Sequence, residues 1–217
     1  MSQAGQMAPA SPAAAAVPQA GRETPPRPPL VLASGSPRRL DLLRRIGVAP
    51  ARVLPPDIDE TPLKQELPRQ LAGRLSQAKA RAVMQAEPAA LVLAADTVVG
   101  VGRRILPKAE TEAQARDCLG LISGRRHRVY TGVALGLPDG RLLTRVVESI
   151  VTFQRLTAAQ VEAYIASGEW RGKAGGYTIQ ESAEAFVRFL SGSHSNVVGL
   201  PLHETAQLLR GVGWLRP

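Results

Sequence analysis

The sequence predicts a mixed α/β domain. From Leu30 onward, short apolar runs of strand length alternate with helical stretches. Several of those stretches open with helix-start signals, and no internal repeat breaks the alternation. The 217 residues suffice for one good-sized domain or two small ones, and a hydrophobic share of 44% supplies a substantial core.

The elements follow in order. Residues 1–29 hold eight alanines and seven prolines with almost no large apolar side chain, so they cannot offset their ordering entropy. They are expected to form a disordered extension, and residues 30–217 the folded domain. Leu30 to Ala33 is a buried-strand run. Ser34-Gly35 then turns the chain, Ser36 stands where a helix is capped, and Pro37 suits the first helical position. Leu40, Leu43 and Ile46 give that helix an apolar stripe, and Gly47 ends it.

A second helix is expected from Pro68, with Leu71, Leu75, Ala78 and Ala82 facing inward. Leu91 to Val99 reads as a central strand interrupted by Asp96. Thr111 and Gln114 form a capping box for a helix to Ile122, and Thr157 and Gln160 form another. Residues 127–137 and 143–156 read as strands joined by a turn over Gly136 to Arg141. A strand over Phe186 to Leu190 and a helix over Pro201 to Arg210 complete the series.

Composition narrows the class of protein. The single cysteine, Cys118, rules out an internal disulfide and a CxxC zinc site. The longest apolar run, Ala89 to Ala95, is seven residues, against the roughly 20 needed to span a bilayer. With no signal-peptide pattern at the start, a cytoplasmic setting is expected. The net charge is +9, of which the first 29 residues carry +1. That excess is mostly arginine spread over many segments with few aromatics to stack on bases, which argues against a nucleic-acid partner. It suits any phosphate-rich ligand.

Two segments carry the chemistry. The strand–turn–helix over residues 30–46 places Ser34, Arg38 and Arg39 at a helix start, whose free N–H groups attract phosphate. Both arginines oppose the helix dipole, by about 0.3–1 kcal/mol each, unless an anion lies nearby. The segment is not a Walker loop, which requires lysine after its second glycine. Asp96 sits within an apolar strand run, where a carboxylate needs a cation, a metal or several donors. It is either bonded to a neighbouring loop or serves as a metal ligand or water-activating base. The acidic cluster Asp57-Ile58-Asp59-Glu60, the lysines Lys79, Lys108 and Lys173, and the paired glycines before Gln180 are weaker signals. Charged clusters and helix lysines are usually solvated, and His194 reads as a surface-loop histidine. No Ser/His/Asp triad is discernible.

Taken in order, Leu32 to Arg39, Asp57 to Glu60, Ala78-Lys79-Ala80, Ala95-Asp96-Thr97, Lys108, Ser123-Gly124-Arg125 with His127, Lys173 to Gln180 and Val198 to Leu202 resemble the Maf family of nucleotide pyrophosphatases. The resemblance covers residues 30–210. It implies a twisted mixed β-sheet flanked by helices, two lobes with an active-site cleft, an inosine-triphosphatase-like fold and a homodimer. It implies hydrolysis of a nucleoside triphosphate between its α and β phosphates, giving monophosphate and pyrophosphate. The pattern Lys-Ala-Gly-x-Tyr-x-Ile-Gln resembles the subgroup acting on dTTP, UTP and modified pyrimidine nucleotides. By position, Ser34, Arg38, Arg39, Lys79 and Lys108 would hold phosphates and Gln180 would face the nucleotide. Asp96 would be the catalytic carboxylate and, with Glu60, would hold a divalent metal, Mg²⁺ or Mn²⁺. Two departures from the family pattern stand out. Lys108 lies between Pro107 and Ala109, where the family has a small residue before and a proline after, and Glu181 replaces the usual glycine. A nucleic-acid-binding or cell-division regulatory protein without essential catalysis is the alternative, and a phosphohydrolase releasing single phosphates is a third reading.

Overall fold

The computed structural model of the chain describes residues 27–216. The expected disordered extension therefore lies outside the described residues except for its last three positions. Those three are tied to the domain. Arg27 donates to the Trp214 carbonyl at 2.9 Å, and the Trp214 indole donates to the Pro28 carbonyl at 2.9 Å. The Leu91 N–H bonds to the Pro29 carbonyl.

Strand β1 (Leu30–Ala33) leads into helix α1 (Pro37–Arg45), followed by β2 (Arg52–Val53) and the long helix α2 (Pro68–Ala86). Strands β3 (Leu91–Val101), β4 (Arg104–Leu106) and β5 (Lys108–Ala109) precede α3 (Glu112–Ile122). The hairpin of β6 (Arg126–Gly136) and β7 (Leu142–Phe153) leads to α4 (Ala158–Ser167) and β8 (Lys173–Ala174). A 3-10 turn (Ser182–Phe186), β9 (Val187–Ser191), α5 (His194–Val198) and α6 (Leu202–Gly211) close the chain.

Among the described residues, seven strands form one mixed sheet in the order β2-β1-β3-β6-β7-β9, with β4 on the far end of β3. The pairs β1–β2 and β1–β3 are parallel, and β3–β6, β6–β7 and β7–β9 are antiparallel. A separate two-stranded ladder joins β5 to β8. This is the expected mixed sheet with flanking helices.

The period of two along β3 explains the layers. Leu91, Leu93, Ala95 and Val99 join the large core containing α1 and α3, while Val92, Ala94 and Val98 face α2. By that alternation Asp96 faces α2 and Thr97 faces the opposite side. The strand is continuous through Asp96, which pairs with Gly132 of β6, so the expected interruption does not occur. Neutralisation by a lysine of α2, described below, lets the carboxylate stay within the ladder.

Helix α2 begins at Pro68 as expected, but its inner face differs. Leu71, Ala72, Leu75, Ser76, Lys79, Ala80 and Val83 are buried, whereas Ala78 and Ala82 lie on the flanks. Alanine carries little amphipathic signal, so the face is set by what lies beneath. Gly132 lies directly under the helix. A Cβ there would fall 2.1 Å from the Ala72 carbonyl oxygen and 2.6 Å from the Ser76 hydroxyl. Its bare backbone lets α2 settle onto the sheet and brings Lys79 within reach of Asp96.

Helix starts follow the sequence closely. Thr111 and Thr157 accept from the N–H groups of Gln114 and Gln160, whose side chains bond back to complete both boxes. Ser36 occupies the cap position of α1 but makes no side-chain cap bond. Its N–H instead donates to the Ser34 hydroxyl at 3.2 Å, leaving the α1 amides without a side-chain cap.

Candidate active site

The C-terminal end of β1, the start of α1, residues 55–60, the middle of β3 and residues 172–179 enclose a cavity of about 360 Å³. Its wall includes Ser34, Arg38, Arg39, Glu60, Lys79, Asp96 and Lys108. Seven of the eight residues singled out from the sequence thus converge on one cavity. Gln180 does not line it: the wall there is Tyr177, Thr178 and Ile179, while the Gln180 side-chain oxygen is buried without a protein partner. Lys173, Thr97 and Thr178 are also on the wall. Lys173 and Thr97 stand within the motifs the sequence marked but were given no site role there, and no spacing rule selects them.

The centre is a cluster of four charged side chains joined by three ion pairs. Lys79 lies 2.6 Å from Asp96 Oδ1 and 2.6 Å from Glu60 Oε1, and Lys108 pairs with the other Glu60 oxygen. Lys79 and Asp96 are buried, in contrast to the solvated lysine ordinarily expected on a helix. A buried charge is tolerated only when paired, and Lys79 is paired twice. Burial alone would raise the Glu60 carboxyl, but hydrogen bonds from Lys108 and Lys79 hold it below the ordinary carboxylate range. Within the acidic stretch, Asp59 turns back to the Thr61 N–H, and only Glu60 reaches the cavity. The Pro107 and Ala109 neighbours leave Lys108 on the cavity wall and in contact with Glu60.

The two arginines play different parts. Arg39 is fastened by bonds to the Gly199 carbonyl (2.8 Å), the Ser34 hydroxyl (2.8 Å) and the Thr97 hydroxyl (3.3 Å). Because the Ser34 oxygen accepts from both Arg39 and the Ser36 N–H, its own hydrogen is free to donate into the cavity. Arg38 lines the wall half-buried and has no such fastening. Burial lowers the Arg38 and Lys173 proton affinities, and the positive charge of Arg38 lowers Lys173 further, while Glu181 opposes both effects. The departure at Glu181 therefore bears on these two cations. Five cations face two carboxylates across the cavity, an excess that an anion would relieve.

Residues 173–179 are held against the core by a second cluster. Gly175 and Gly176 adopt φ of 70° and 68°, and a Cβ on Gly175 would meet Val99 at 2.9 Å. Tyr177 is buried with its hydroxyl 2.8 Å from His127 Nε2, and both rings pack edge-on against Phe153. Burial pushes the His127 imidazole down to about 4. The fold therefore prefers neutral His127. Its contribution, on the order of 3 kcal/mol, is complete above pH 6.5 and is lost as pH falls toward 4. Thermal unfolding of the wild type should lose stability over that window more steeply than that of His127→Phe. Parallel curves would contradict this.

Glu60 and Asp96 suit a hard divalent cation in one respect: both carboxylates converge on a single point, now the Lys79 ammonium. Among the described residues no group of three or more His, Cys, Asp and Glu side chains forms a full ligand cage. The donor set fits Mg²⁺ or Mn²⁺, which take one or two carboxylates and complete their shell with phosphate oxygens and water. No helix among the described residues is long and apolar enough to cross a membrane.

The chain is 63% identical over 186 residues to a protein of Novosphingobium aromaticivorans named dTTP/UTP pyrophosphatase, covering 86% of this chain and 92% of that one. Proteins of the same name from Granulibacter bethesdensis and Caulobacter vibrioides are each 62% identical, over 86% of this chain and 94% and 97% of theirs. A solved HAM1 protein from Coxiella burnetii is 16% identical with a TM-score of 0.46, covering 84% of this chain and 98% of that one, too distant to bear on function. The family of Maf-like proteins matches residues 29–212, a span that contains every wall residue of the cavity, and this chain belongs to that family.

Proposed function

We propose that the protein hydrolyses nucleoside triphosphates, dTTP and UTP foremost, between the α and β phosphates, releasing nucleoside monophosphate and pyrophosphate. The observation that carries this reading is the cavity itself: five cations and an open helix start surround Asp96 and Glu60, both held by Lys79. A triphosphate supplies the several negative charges that such a wall calls for.

In this reading Ser34, Arg38, Arg39, Lys79 and Lys108 hold the phosphates, joined by Lys173. Asp96 accepts a hydrogen bond from a water molecule, aims its oxygen at the α phosphorus, and takes up the proton that the water loses as it attacks. A new P–O bond forms there, the bond from the α phosphorus to the bridging oxygen breaks, and pyrophosphate departs with that electron pair. The wall cations stabilise the charge that gathers on it. Glu60 and Asp96 would hold Mg²⁺ or Mn²⁺, which when bound neutralises phosphate charge and lowers the pKa of water. Thr178 faces the cavity, and the unpartnered Gln180 oxygen is an acceptor for the N3–H of thymine or uracil once its side chain turns toward the ligand.

The relatives' shared name, at about 60% identity, supports the pyrimidine preference. Residues 30–217 act as one catalytic domain in the cytoplasm, with the chain paired as a homodimer, which sedimentation would check. The test of substrate class is turnover across the common ribo- and deoxyribonucleoside triphosphates with Mg²⁺ or Mn²⁺. The expected result is the highest kcat/KM for dTTP and UTP. A flat profile would remove the base preference, and no turnover with any nucleotide would remove the enzyme reading in favour of a regulatory role.

A further inference from the structure

Beneath the cavity, on the face of β3 away from Asp96, a buried chain of hydrogen bonds ends at Arg39. Thr97 and Thr131 are directly opposite one another on β3 and β6, with hydroxyl oxygens 2.9 Å apart. The Thr131 hydroxyl donates to the Asn196 carbonyl at 2.9 Å. Thr131 and Asn196 are both fully buried. Asn196 is itself fixed, its side-chain amide donating to the Val129 carbonyl (3.1 Å) and the Ser149 hydroxyl (3.0 Å).

Counting hydrogens gives this chain a direction. A threonine hydroxyl has one hydrogen. Thr131 spends its own on Asn196, so the hydrogen between the two threonines belongs to Thr97. The other acceptor near Thr97, the Gly199 carbonyl, is 3.5 Å away and already takes the Arg39 Nε–H at 2.8 Å. The Thr97 oxygen is therefore left as an acceptor on the side facing Arg39, whose Nη2 lies 3.3 Å away. Hydrogen bonds in such a chain polarise one another, so each donation makes the next oxygen a better acceptor.

We propose that Thr131 is a positioning residue: acting through Thr97, it fixes the guanidinium of Arg39 so that its remaining N–H groups point into the cavity at the anion. The proposal rests on Arg39 serving the phosphate site described above. Two carbonyls from the α5 segment hold Arg39 in consequence, Gly199 directly and Asn196 through the two hydroxyls. The Asn-Val-Val-Gly stretch at residues 196–199 thereby acts on phosphate binding while contributing no charged side chain.

The test measures binding of inorganic tripolyphosphate by calorimetry and dTTP turnover, for the full chain and four variants. Thr131→Val keeps the shape and removes the hydroxyl; Thr131→Ser restores it. Arg39→Lys and the Thr131→Val/Arg39→Lys double variant ask whether Thr131 acts through Arg39. Expected are an approximately tenfold weaker tripolyphosphate affinity and a similar rise in KM for Thr131→Val, with kcat changed less than threefold. Thr131→Ser should recover to within about twofold, and Thr131→Val should add less than about twofold in the Arg39→Lys background. Wild-type affinity in Thr131→Val, failure of the serine to rescue, or multiplying losses in the double variant would overturn the proposal. If Thr131→Val does not fold, Thr97→Val with Thr97→Ser poses the same question under the same outcomes. Tripolyphosphate binding needs no hydrolysis. The expected pattern in a protein that turns over no nucleotide would sink the enzymatic reading alone, and additive losses in an active enzyme would sink only this proposal.

Discussion

Asp96→Asn should lower kcat for dTTP by about 10²–10⁴-fold while leaving nucleotide affinity within a few-fold of wild type. The amide keeps the shape of the side chain but cannot take a proton or hold an attacking water as a carboxylate does. Binding survives because the phosphate-holding cations are untouched, and loss of one negative charge from the wall removes a repulsion toward the substrate. Stability should change modestly. Removing a partner from a buried ion pair costs about 3–5 kcal/mol when the other charge is abandoned. Here Lys79 retains Glu60 at 2.6 Å, so the loss should fall below that range. Turnover and equilibrium binding measured on the same preparation check both halves. A variant that turns over at the wild-type rate would remove Asp96 from the chemistry.

Gly132→Ala should cost about 3 kcal/mol or more, at the upper end of what overpacking does, and lower the unfolding midpoint by about 10 °C. The added methyl would lie 2.1 Å from the Ala72 carbonyl oxygen, and that atom belongs to the α2 backbone, which cannot rotate aside. The helix must lift, and lifting it draws Lys79 away from Asp96, so activity should fall with stability. Gly120→Ala is the control. Gly120 lies exposed inside α3 with nothing within 4 Å of its added Cβ, and the change should stabilise by about 0.5–1 kcal/mol. Equal midpoints for the two variants would refute the close-approach argument.

These two residues also show where sequence reasoning stops. The start of α1 at Pro37 and the capped starts of α3 and α4 were legible because their signals are local: a proline, or a threonine and glutamine three apart. Asp96 was legible because a carboxylate inside an apolar strand is anomalous in one dimension. The burial of Lys79 was not, since it depends on Gly132, a residue on another strand whose missing side chain sets the height of α2. The two-residue strands β2, β5 and β8 are too short to carry a period, and so is α5 with its five residues, the first of them the expected surface-loop histidine His194. From the residues alone Glu60 could be marked only as part of an acidic cluster, and it was the family resemblance that singled it out. The structure separates it from exposed Asp57 and Asp59 because it alone meets lysines from α2 and β5.

Gln180 marks the opposite case, a residue drawn from the family resemblance that the structure sets one position beyond the cavity wall. Thr178, two residues earlier, lines the cavity; the chain turns at Ile179 and Gln180, so the period of two that would put positions 178 and 180 on one face is broken there.

The central claim concerns which bond breaks. Phosphorus NMR of dTTP incubated with the protein and Mg²⁺ or Mn²⁺ decides it directly. The account predicts dTMP and pyrophosphate appearing together in equal amounts, with no dTDP at any time. Accumulation of dTDP and inorganic phosphate would contradict it.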